Sequence, residues 1–460
     1  MNTEAIADFV AETSYDQIPQ EALTSAKWCI LDCLGVSLAG SQEPASRIIS
    51  DYVRELGGKP EAAVIAMGFR TSSPQAALAN GTLAHALDYD DSHPNFQHAT
   101  AVTLPAVLAL AERERISGQA ILEAYLLGCE VGSKIGIQMV TKLAELGWHP
   151  CGIVGSMAAA VASSKILKLG KGQIRRALGI AASQAAGLGR NIGTDTKPFH
   201  SGNGAKNGVV AAMLAVKGFG ADESILEGPN SFPTVFVGKE YDPVKLSKKL
   251  GSPFSIVSQG ISRIKPYPTG GPSHKSITTI LELIEEHKLH AQDVVEVECK
   301  VSPYLVKHFR RYNHPQTASQ GRFSMHYAMA AALLDGEVTL KQFTDEKVLA
   351  PKAQDLMSRV KLVELEAEVE EGQMHGDPPQ IVTVKLRDGK VYSHQVPFAK
   401  GEARNPMSSE EIRLKFRDCG RLVLSPADID RTLELVSNLE DLPDITELMD
   451  LVSRGKTLRR

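Results

Sequence analysis

Apolar residues recur at helical spacing from Thr24 to about residue 220, and this pattern constrains the fold more than any other feature of the chain. Gly, Pro and Asn separate the segments, and strand-like alternation is missing from this half. Residues 155–164 and 181–187 consist largely of small side chains, which let helix backbones approach closely. The first half of the chain is therefore predicted to be a tightly packed, nearly all-helical domain.

The pattern changes beyond Lys265. Residues 293–301 alternate acidic and apolar side chains as a half-exposed strand does, and residues 381–392 have the pattern of two strands joined around Asp388 and Gly389. Helices are predicted over 273–287 and 324–334. Ser408 and Glu411 have the spacing of a capping box, which predicts that the chain returns to helix there.

These patterns predict a mainly α fold in two domains. Residues 1–265 and 400–460 are predicted to form a large helical domain, and residues 266–399 an inserted, smaller α+β lid domain. The length of 460 residues agrees, because it exceeds what one hydrophobic core usually organises.

Composition narrows the class of protein. Hydrophobic residues make up 43% and charged residues 23%, as in ordinary soluble globular chains, and a net charge of -4 gives no reason to expect a nucleic-acid partner. The least polar run, residues 152–163, is too short to cross a bilayer, and the N-terminus lacks a secretory pattern. The six cysteines form no C-x-x-C pair, which favours reduced thiols. We therefore expect a cytoplasmic protein without membrane or nucleic-acid partners.

Residues 86–98 concentrate acids and imidazoles between two apolar helical segments. Asp88, Asp90 and Asp91 lie close in sequence to His93 and His98. Crowded titratable groups at an element boundary often have shifted pKa values and often carry chemistry. The alternative is a solvated loop that follows a helix.

Two further segments of the helical half place polar groups in apolar surroundings. His149 precedes Pro150 at the predicted start of a small-residue helix, where it either serves a site or simply caps the helix. Residues 193–208 carry Lys197, His200 and Lys206 in a predicted glycine-rich turn before a helix, which suits carboxylate or phosphate binding. Their glycine spacing is similar to that of a dinucleotide loop, but the strand that such a loop needs is missing.

Two more such segments lie in the second half. Residues 263–274 carry Lys265, Tyr267 and His274 among stiffening prolines, although a plain inter-domain hinge would explain the same prolines. Tyr327 lies at the predicted start of a helix. The whole inventory has no metal-ligand spacing such as H-E-x-x-H. It suits proton transfer beside bound carboxylates, whose charge lysines and arginines neutralise.

Taken in order, these segments resemble the MmgE/PrpD family, which includes 2-methylcitrate dehydratases, cis-aconitate decarboxylases and iminodisuccinate epimerases. The resemblance extends along the whole chain. It rests on L-D-Y-D-D-S at 87–92 with His98, G-W-H-P at 147–150, T-K-P-F-H-S-G-N at 196–203, L-E-G-P at 226–229, K-P-Y-P at 265–268, F-S-x-x-Y at 323–327 and N-P-M at 405–407.

The resemblance implies a homodimer with its active site in the cleft between the two domains, and neither metal nor organic cofactor. The positions that match the pocket of the decarboxylase members are Asp88, Ser92, His98, His149, Lys197, Lys265 and Tyr327. Ser92 stands where those members have threonine. They also have a histidine five residues after the lysine of K-x-x-P, where this chain has Gly270. That departure disfavours decarboxylation unless His274 reaches the same space.

We therefore predict a cofactor-independent enzyme that removes a proton alpha to a carboxylate of a small di- or tricarboxylate. Dehydration of the 2-methylcitrate type is favoured, followed by epimerisation of an iminodisuccinate-like dicarboxylate and then by decarboxylation. The predicted catalytic residues are His98, His149, Lys197, Tyr327, His274 and Asp88, which orients an imidazole. The predicted substrate-binding residues are Lys265, Ser92, Arg190, His200, Lys206 and Tyr267.

Two hypotheses from other classes stay open at this point. One is a metallohydrolase, because carboxylates and imidazoles also bind divalent ions. Its ligands would come from His85, Asp88, Asp90, Asp91, His93 and His98. The other is a carboxylate-binding protein that has kept the fold without turnover, for which Gly270 is the only indication.

Overall fold

The computed structural model describes residues 2–238, 241, 249–258, 264–365 and 379–455, without the side chain of His308. The chain divides into two units, one formed by Met1–Ile264 with Ser408–Arg460 and the other by Lys265–Met407. Helices predominate among the described residues, which confirms the mainly α fold class.

The described residues of the first unit form helices and one short hairpin. Its helices before residue 264 are α1 (Asn2–Glu12), α2 (Gln20–Gly40), α3 (Pro44–Leu56), α4 (Ser73–His85), α5 (Ala99–Glu114), α6 (Gly118–Gly136), α7 (Val140–Glu145), α8 (Pro150–Ile166), α9 (Lys171–Gln184), α10 (Thr196–Val216), α11 (Phe232–Val237) and α12 (Ser255–Ser258). The hairpin pairs β1 (Ala62–Val64) with β2 (Phe69–Thr71) in antiparallel fashion. The expectation of an all-helical half missed it, because three-residue strands are too short to show alternation.

Small residues let α10 pack closely against its neighbours. A Cβ on Gly202 would lie 2.1 Å from the carbonyl oxygen of Leu78 in α4, and one on Gly208 would lie 2.4 Å from Ala159 in α8. The prediction of a glycine-rich turn before this helix was wrong, since α10 begins at Thr196 and contains these glycines. They serve helix packing, and a nucleotide loop is excluded.

α2 is long and apolar enough to cross a membrane by length and composition, but 78% of its most apolar stretch is buried inside the protein. It is therefore a core helix of the first unit. Cys29 and Cys33 lie in this helix, and both are buried, as predicted for core packing.

The second unit combines helices with a four-stranded sheet. Its helices are α13 (His274–His287), α14 (Pro303–Phe309), α15 (Ala318–Gly321), α16 (Met325–Asp335), α17 (Asp345–Leu349) and α18 (Pro351–Ser358). Its strands are β3 (Val294–Val301), β4 (Val360–Glu364), β5 (Ile381–Leu386) and β6 (Val391–His394). The order across the sheet is β4-β3-β5-β6, with β3 and β4 parallel and the other pairs antiparallel.

The strands and helices predicted in this unit are confirmed. β3, β5 and β6 lie where alternation placed them, and Gly389 adopts φ +86° in the turn between β5 and β6, which favours glycine. β4 was not predicted. Alternate residues of β3, including Val297 and Cys299, face a core shared with Ile277 and Ile280 of α13.

After residue 407 the chain returns to the first unit as α19 (Ser409–Gly420), α20 (Pro426–Ser437) and α21 (Thr446–Ser453). The predicted capping box is present. The Glu411 backbone N–H donates to Ser408 Oγ at 3.2 Å, and the Ser408 N–H donates to Glu411 Oε2 at 2.6 Å. Both donors would otherwise lack partners at the helix start.

Candidate active site

The segment between α4 and α5 is a buried polar loop. Asp88, Asp90 and Asp91 are at most 5% exposed, and His98, which precedes α5, is 6% exposed. Asp88 adopts φ +50°, a left-handed conformation that is uncommon for residues other than glycine. Such conformations persist where the surroundings hold them, often at functional sites. The alternative of a solvated loop is therefore excluded.

Asp90 holds two imidazoles at once. Its Oδ1 lies 2.8 Å from His85 Nδ1 and its Oδ2 lies 2.9 Å from His98 Nδ1. Burial opposes the charge of Asp90, but the two imidazoles outweigh burial and hold the pKa of this carboxyl well below its usual range. An ionised carboxylate only accepts hydrogen bonds, so each ring donates its Nδ1–H. In the neutral rings the unprotonated nitrogen is therefore Nε2.

Lys197, in the first turn of α10, closes this network. Its Nζ donates to Asp88 Oδ1 at 2.9 Å and to His85 Nε2 at 2.8 Å. The second bond fits the tautomer that Asp90 imposes on His85, because Nε2 then carries the lone pair. Asp88 Oδ1 also lies 3.7 Å from His98 Nε2. The orienting role predicted for Asp88 thus falls on Asp90, while Asp88 pairs with the ammonium group.

Exposure divides these five side chains into two layers. The side chains of Asp90 and His85 are fully buried, whereas those of Asp88, Lys197 and His98 retain 7–8% exposure. The outer three can therefore meet a small ligand. The inner two position them through hydrogen bonds.

A second imidazole pair adjoins the first. His149 Nδ1 lies 3.1 Å from His200 Nδ1, which allows one proton between the two nitrogens. The His149 ring centroid is 6.0 Å from that of His85 and 5.9 Å from that of His98. His149 immediately precedes α8, as predicted, and His200 lies in α10, one helical turn after Lys197. Since only one of the two rings can donate, the pair can take up a proton at His149 and pass one to His200.

The imidazoles of the site are neutral at neutral pH. Burial, then the neighbouring His85 and Lys197, lower the pKa of His98 to about 3. Burial, followed by Lys197, also lowers the pKa of His149, and burial lowers the pKa of His200 to about 4. A neutral imidazole with a fixed tautomer can act as a base.

The same donors could bind a metal ion. One nitrogen from each of His85, His98 and His149 lies within 4.8 Å of the others, and the same is true of His85, His98 and the carboxylates of Asp88 and Asp90. Lys197 already donates to an imidazole nitrogen, His85 Nε2, and to a carboxylate oxygen, Asp88 Oδ1. A cation would therefore have to compete with the ammonium group.

Other residues of the loop have structural contacts. Asp91 accepts from the N–H of Thr100 at 3.2 Å and from its hydroxyl at 2.8 Å, which ties the loop to α5. His93 accepts from the Asn95 N–H at 3.1 Å, and burial lowers its pKa to about 3. Ser92 is half-buried between them.

Arg190 and Lys206, two predicted carboxylate ligands, are less buried than the five side chains of the network. Arg190 is exposed in the short turn Gly189–Asn191. Lys206 follows Lys197 by nine residues of α10, which places it about 13 Å further along the axis and on the opposite face. Burial lowers its pKa. The network gives no support for a role of Lys206 at the same site.

The remaining predicted residues belong to the second unit. Lys265 is buried, and Tyr267 packs against the ring of His274 with centroids 5.2 Å apart. His274 Nε2 lies 3.3 Å from the carbonyl oxygen of Thr269. The Tyr327 hydroxyl donates to the carbonyl of Gln342, and burial raises its pKa.

Gly270, at the position where the resemblance implies a histidine in decarboxylases, forms part of a turn. Its N–H donates to the carbonyl of Arg322 at 2.9 Å, and its carbonyl accepts from the N–H and hydroxyl of Ser273 at 3.0 and 2.8 Å. His274 begins α13 directly after this turn and is fully buried. The roles predicted for the second unit stay predictions.

Sequence reasoning gave His85 and Asp90 a role only as metal ligands in the metallohydrolase hypothesis and none in proton transfer. His85 ends an apolar helix and is separated by two residues from the acid-rich motif. The signal that could have found both is the Asp88-x-Asp90 pair with histidines on either side, since one carboxylate can hold two imidazoles.

Comparisons with known proteins agree with these motifs. The model of the MmgE/PrpD N-terminal domain matches residues 4–244, and that of the MmgE/PrpD C-terminal domain matches residues 267–441. A cis-aconitate decarboxylase of Homo sapiens is 28% identical over 463 residues, with 98% of this chain and 94% of that protein covered. One of Mus musculus is 27% identical over 470 residues, covering 98% and 93%. A mitochondrial 2-methylcitrate dehydratase of Yarrowia lipolytica is 21% identical over 391 residues, covering 78% and 71%.

Proposed function

Because this chain belongs to the MmgE/PrpD family, we propose that it is a cofactor-independent lyase that removes a proton alpha to a carboxylate of a small di- or tricarboxylate. The observation that carries the proposal is the contact of Asp90 with both His85 and His98. This contact leaves His98 Nε2 as a neutral base at the more exposed edge of the network. The nitrogen lies 3.7 Å from Oδ1 of Asp88, which is paired with Lys197.

In the proposed reaction, His98 Nε2 takes the proton from the carbon next to a substrate carboxylate. The ammonium group of Lys197 binds that carboxylate and offsets the negative charge that develops on it. Asp90 stabilises the imidazolium that His98 becomes. A positioned base contributes about 10²–10⁴-fold to the rate when its pKa lies near the working pH, and the negative charge of a bound polycarboxylate raises the pKa of His98 toward that range.

Dehydration completes the reaction when the electrons of the broken C–H bond form a C=C bond and a β-hydroxyl leaves. The hydroxyl needs a proton to leave as water. The His149–His200 pair, with one shared proton, is suited to deliver it from His149 and to recover it through His200. Similarity to a named 2-methylcitrate dehydratase supports this outcome. Return of the proton to the other face of the carbon would instead give epimerisation.

Decarboxylation is the second candidate, and the similarity to cis-aconitate decarboxylases over 98% of the chain favours it. That reaction breaks a C–C bond to release carbon dioxide, and the remaining carbanion must gain a proton. The backbone of Gly270 offers no acid at the position where those enzymes are expected to have histidine. Dehydration needs no group at that position, so we retain it as the first candidate.

A substrate screen tests the proposal. Citrate, 2-methylcitrate, cis-aconitate, malate and iminodisuccinate are incubated separately with the parent protein and with His98→Gln, and proton NMR follows the products. We expect one of the first four acids to be dehydrated or decarboxylated by the parent alone, before and after chelator treatment. Conversion of iminodisuccinate alone would favour the epimerase. Loss of activity with chelator and its return with a divalent metal would favour the metallohydrolase, and binding without conversion would favour the carboxylate-binding protein.

A further inference from the structure

A buried lysine from the C-terminal part of the chain contacts the loop that carries Asp88 and Asp90. Lys415 of α19 donates from Nζ to the backbone carbonyl of Tyr89 at 2.8 Å. The same Nζ lies 3.8 Å from the centre of the Tyr89 ring and 2.6 Å from Asp32 Oδ1 in α2. The side chains of Lys415 and Asp32 are only 3% and 1% exposed.

Tyr89 is the residue between Asp88 and Asp90. Its carbonyl belongs to the planar peptide unit that also contains the N–H and Cα of Asp90. A hydrogen bond to this oxygen therefore fixes the orientation of the peptide from which the Asp90 side chain departs. On the other side of Tyr89, Asp88 has the left-handed φ of +50°, which the surroundings must maintain.

Asp32 explains why a cation can stay in this buried position. A lone buried ammonium group would be strongly unfavourable, and the carboxylate of Asp32 neutralises it at contact distance. The three contacts of Lys415 leave the pair little freedom. α2 and α19 thus bring opposite ends of the chain together behind the site.

We propose that Lys415 is a positioning residue, which holds the Tyr89–Asp90 peptide so that Asp90 imposes the Nδ1–H tautomer on His98. Its catalytic consequence rests on the function proposed above, but its effect on the tautomer does not. If the Lys415–Asp32 pair were only structural, its removal would lower the stability of the protein. The tautomer of His98 and the turnover of the folded molecules would then stay unchanged.

Two variants separate positioning from structural support. Asp32→Asn removes the ion pair, and burial then favours the neutral amine of Lys415, which can still donate an N–H to the Tyr89 carbonyl. Asp32→Asn with Lys415→Met removes that donor as well and buries no net charge. The matched control is Lys165→Met with Glu123→Gln, because Lys165 also pairs with a carboxylate, at 2.8 Å, and donates to backbone carbonyls, those of Val10 and Thr13.

Two readouts are used at temperatures where circular dichroism shows each variant to be folded. ¹⁵N chemical shifts of the His98 ring, assigned with His98→Gln, report the tautomer without any need for turnover. Steady-state kinetics over pH report kcat and KM. We expect Asp32→Asn and the Lys165 control to keep the parent tautomer, and the Lys415 double variant to show a mixture with kcat about 10²-fold lower and KM within about threefold. Lys415→Arg, which keeps a cationic donor beside Asp32, should retain most of the parent's kcat.

A folded Lys415 double variant with the parent's tautomer, kcat and pH profile would overturn the proposal. So would equal losses in Asp32→Asn and the double variant, since both lack the ion pair. If the double variant does not fold, Asp32→Asn with Lys415→Gln enters the same comparison, because its shorter amide also fails to reproduce the lysine's contact. If the parent converts none of the acids, the proposed function fails while the ¹⁵N shifts still decide the positioning.

Discussion

The substitution Asp90→Asn changes one atom of the site and removes one of its two acceptors. An asparagine side chain presents one carbonyl oxygen and one NH₂ group, so it can accept an Nδ1–H from only one of the two imidazoles. The other ring must turn its Nδ1 lone pair toward the NH₂ group and carry its proton on Nε2. The question is which of His85 and His98 changes tautomer.

The contacts of the two rings decide this. A proton on His85 Nε2 would face the Lys197 ammonium group at 2.8 Å, two donors in contact, at a cost of about 1–3 kcal/mol for the lost buried hydrogen bond. A proton on His98 Nε2 would instead face the carboxylate of Asp88 at 3.7 Å, which is favourable. His98 is therefore the ring that changes, and it loses its function as a base.

Loss of a positioned base lowers kcat by about 10²–10⁴-fold, or about 3–5 kcal/mol in the activation free energy. The corresponding Asp-to-Asn change in the Ser-His-Asp triad lowers kcat by about 10⁴-fold for the same tautomeric reason. Steady-state kinetics with the substrate found in the screen measure the effect, and ¹⁵N shifts of His98 measure the tautomer. KM should change little, because Lys197, which is proposed to bind the substrate carboxylate, is still held in place by Asp88.

Asp91→Asn is the matched control, since it makes the same change one residue away. Asp91 accepts from the N–H and the hydroxyl of Thr100, so the variant should lose stability while its kcat stays within about threefold of the parent. If folded Asp90→Asn keeps the parent kcat, or if Asp91→Asn loses as much, the assignment of Asp90 is refuted.

Three further predictions concern the charge and protons of the site. Lys197→Ala should lower kcat/KM by at least about 10²-fold with an unchanged circular dichroism spectrum, because the carboxylate ligand is lost; activity near the parent's would remove Lys197 from the site. His149→Gln should lower kcat more than it raises KM, and an effect on KM alone would contradict proton transfer by this ring. His93 and His98 have a folded-state pKa of about 3 against an ordinary value of 6.5, so the unfolded chain binds their protons first as the pH falls. Their contribution to stability is complete above pH 6.5 and should be about 2 kcal/mol smaller for each at pH 5, measured by urea unfolding at pH 7.5 and 5; equal stability would contradict the burial argument.

The sequence was sufficient where periodicity or capping chemistry is local. The strand Val294–Val301 and the capping box at Ser408 lie where alternation and spacing placed them. The strands Ala62–Val64 and Val360–Glu364 were not predicted. The first is too short to show an alternating pattern, and the second is a short strand defined only by its pairing with β3. Glycines 202 and 208 suggested a turn because their long-range packing partners in α4 and α8 cannot be seen in sequence.

For the site, residue types were predictable but their partners were not. Motif order assigned four residues of the first unit to one site: His98, His149, Lys197 and His200. Their side chains do lie together in the structure. The left-handed backbone at Asp88 helps to decide which carboxylate of the loop orients an imidazole. The sequence gives no sign that this aspartate adopts such a conformation. Lys415 lies more than 300 residues from the loop that it contacts, so no local pattern could have indicated it.

The central claim is that His98 removes a proton from a substrate carbon beside a carboxylate. Its most direct test is the incubation of the identified substrate in deuterated water, with mass spectrometry and proton NMR of the substrate and product recovered as the two approach equilibrium, because the reverse reaction then returns a solvent deuteron to the alpha carbon. We predict that the parent exchanges deuterium into the position alpha to the carboxylate, and that folded His98→Gln exchanges it at least about 10²-fold more slowly. Turnover without solvent deuterium at that carbon, or undiminished exchange in His98→Gln, would contradict the account.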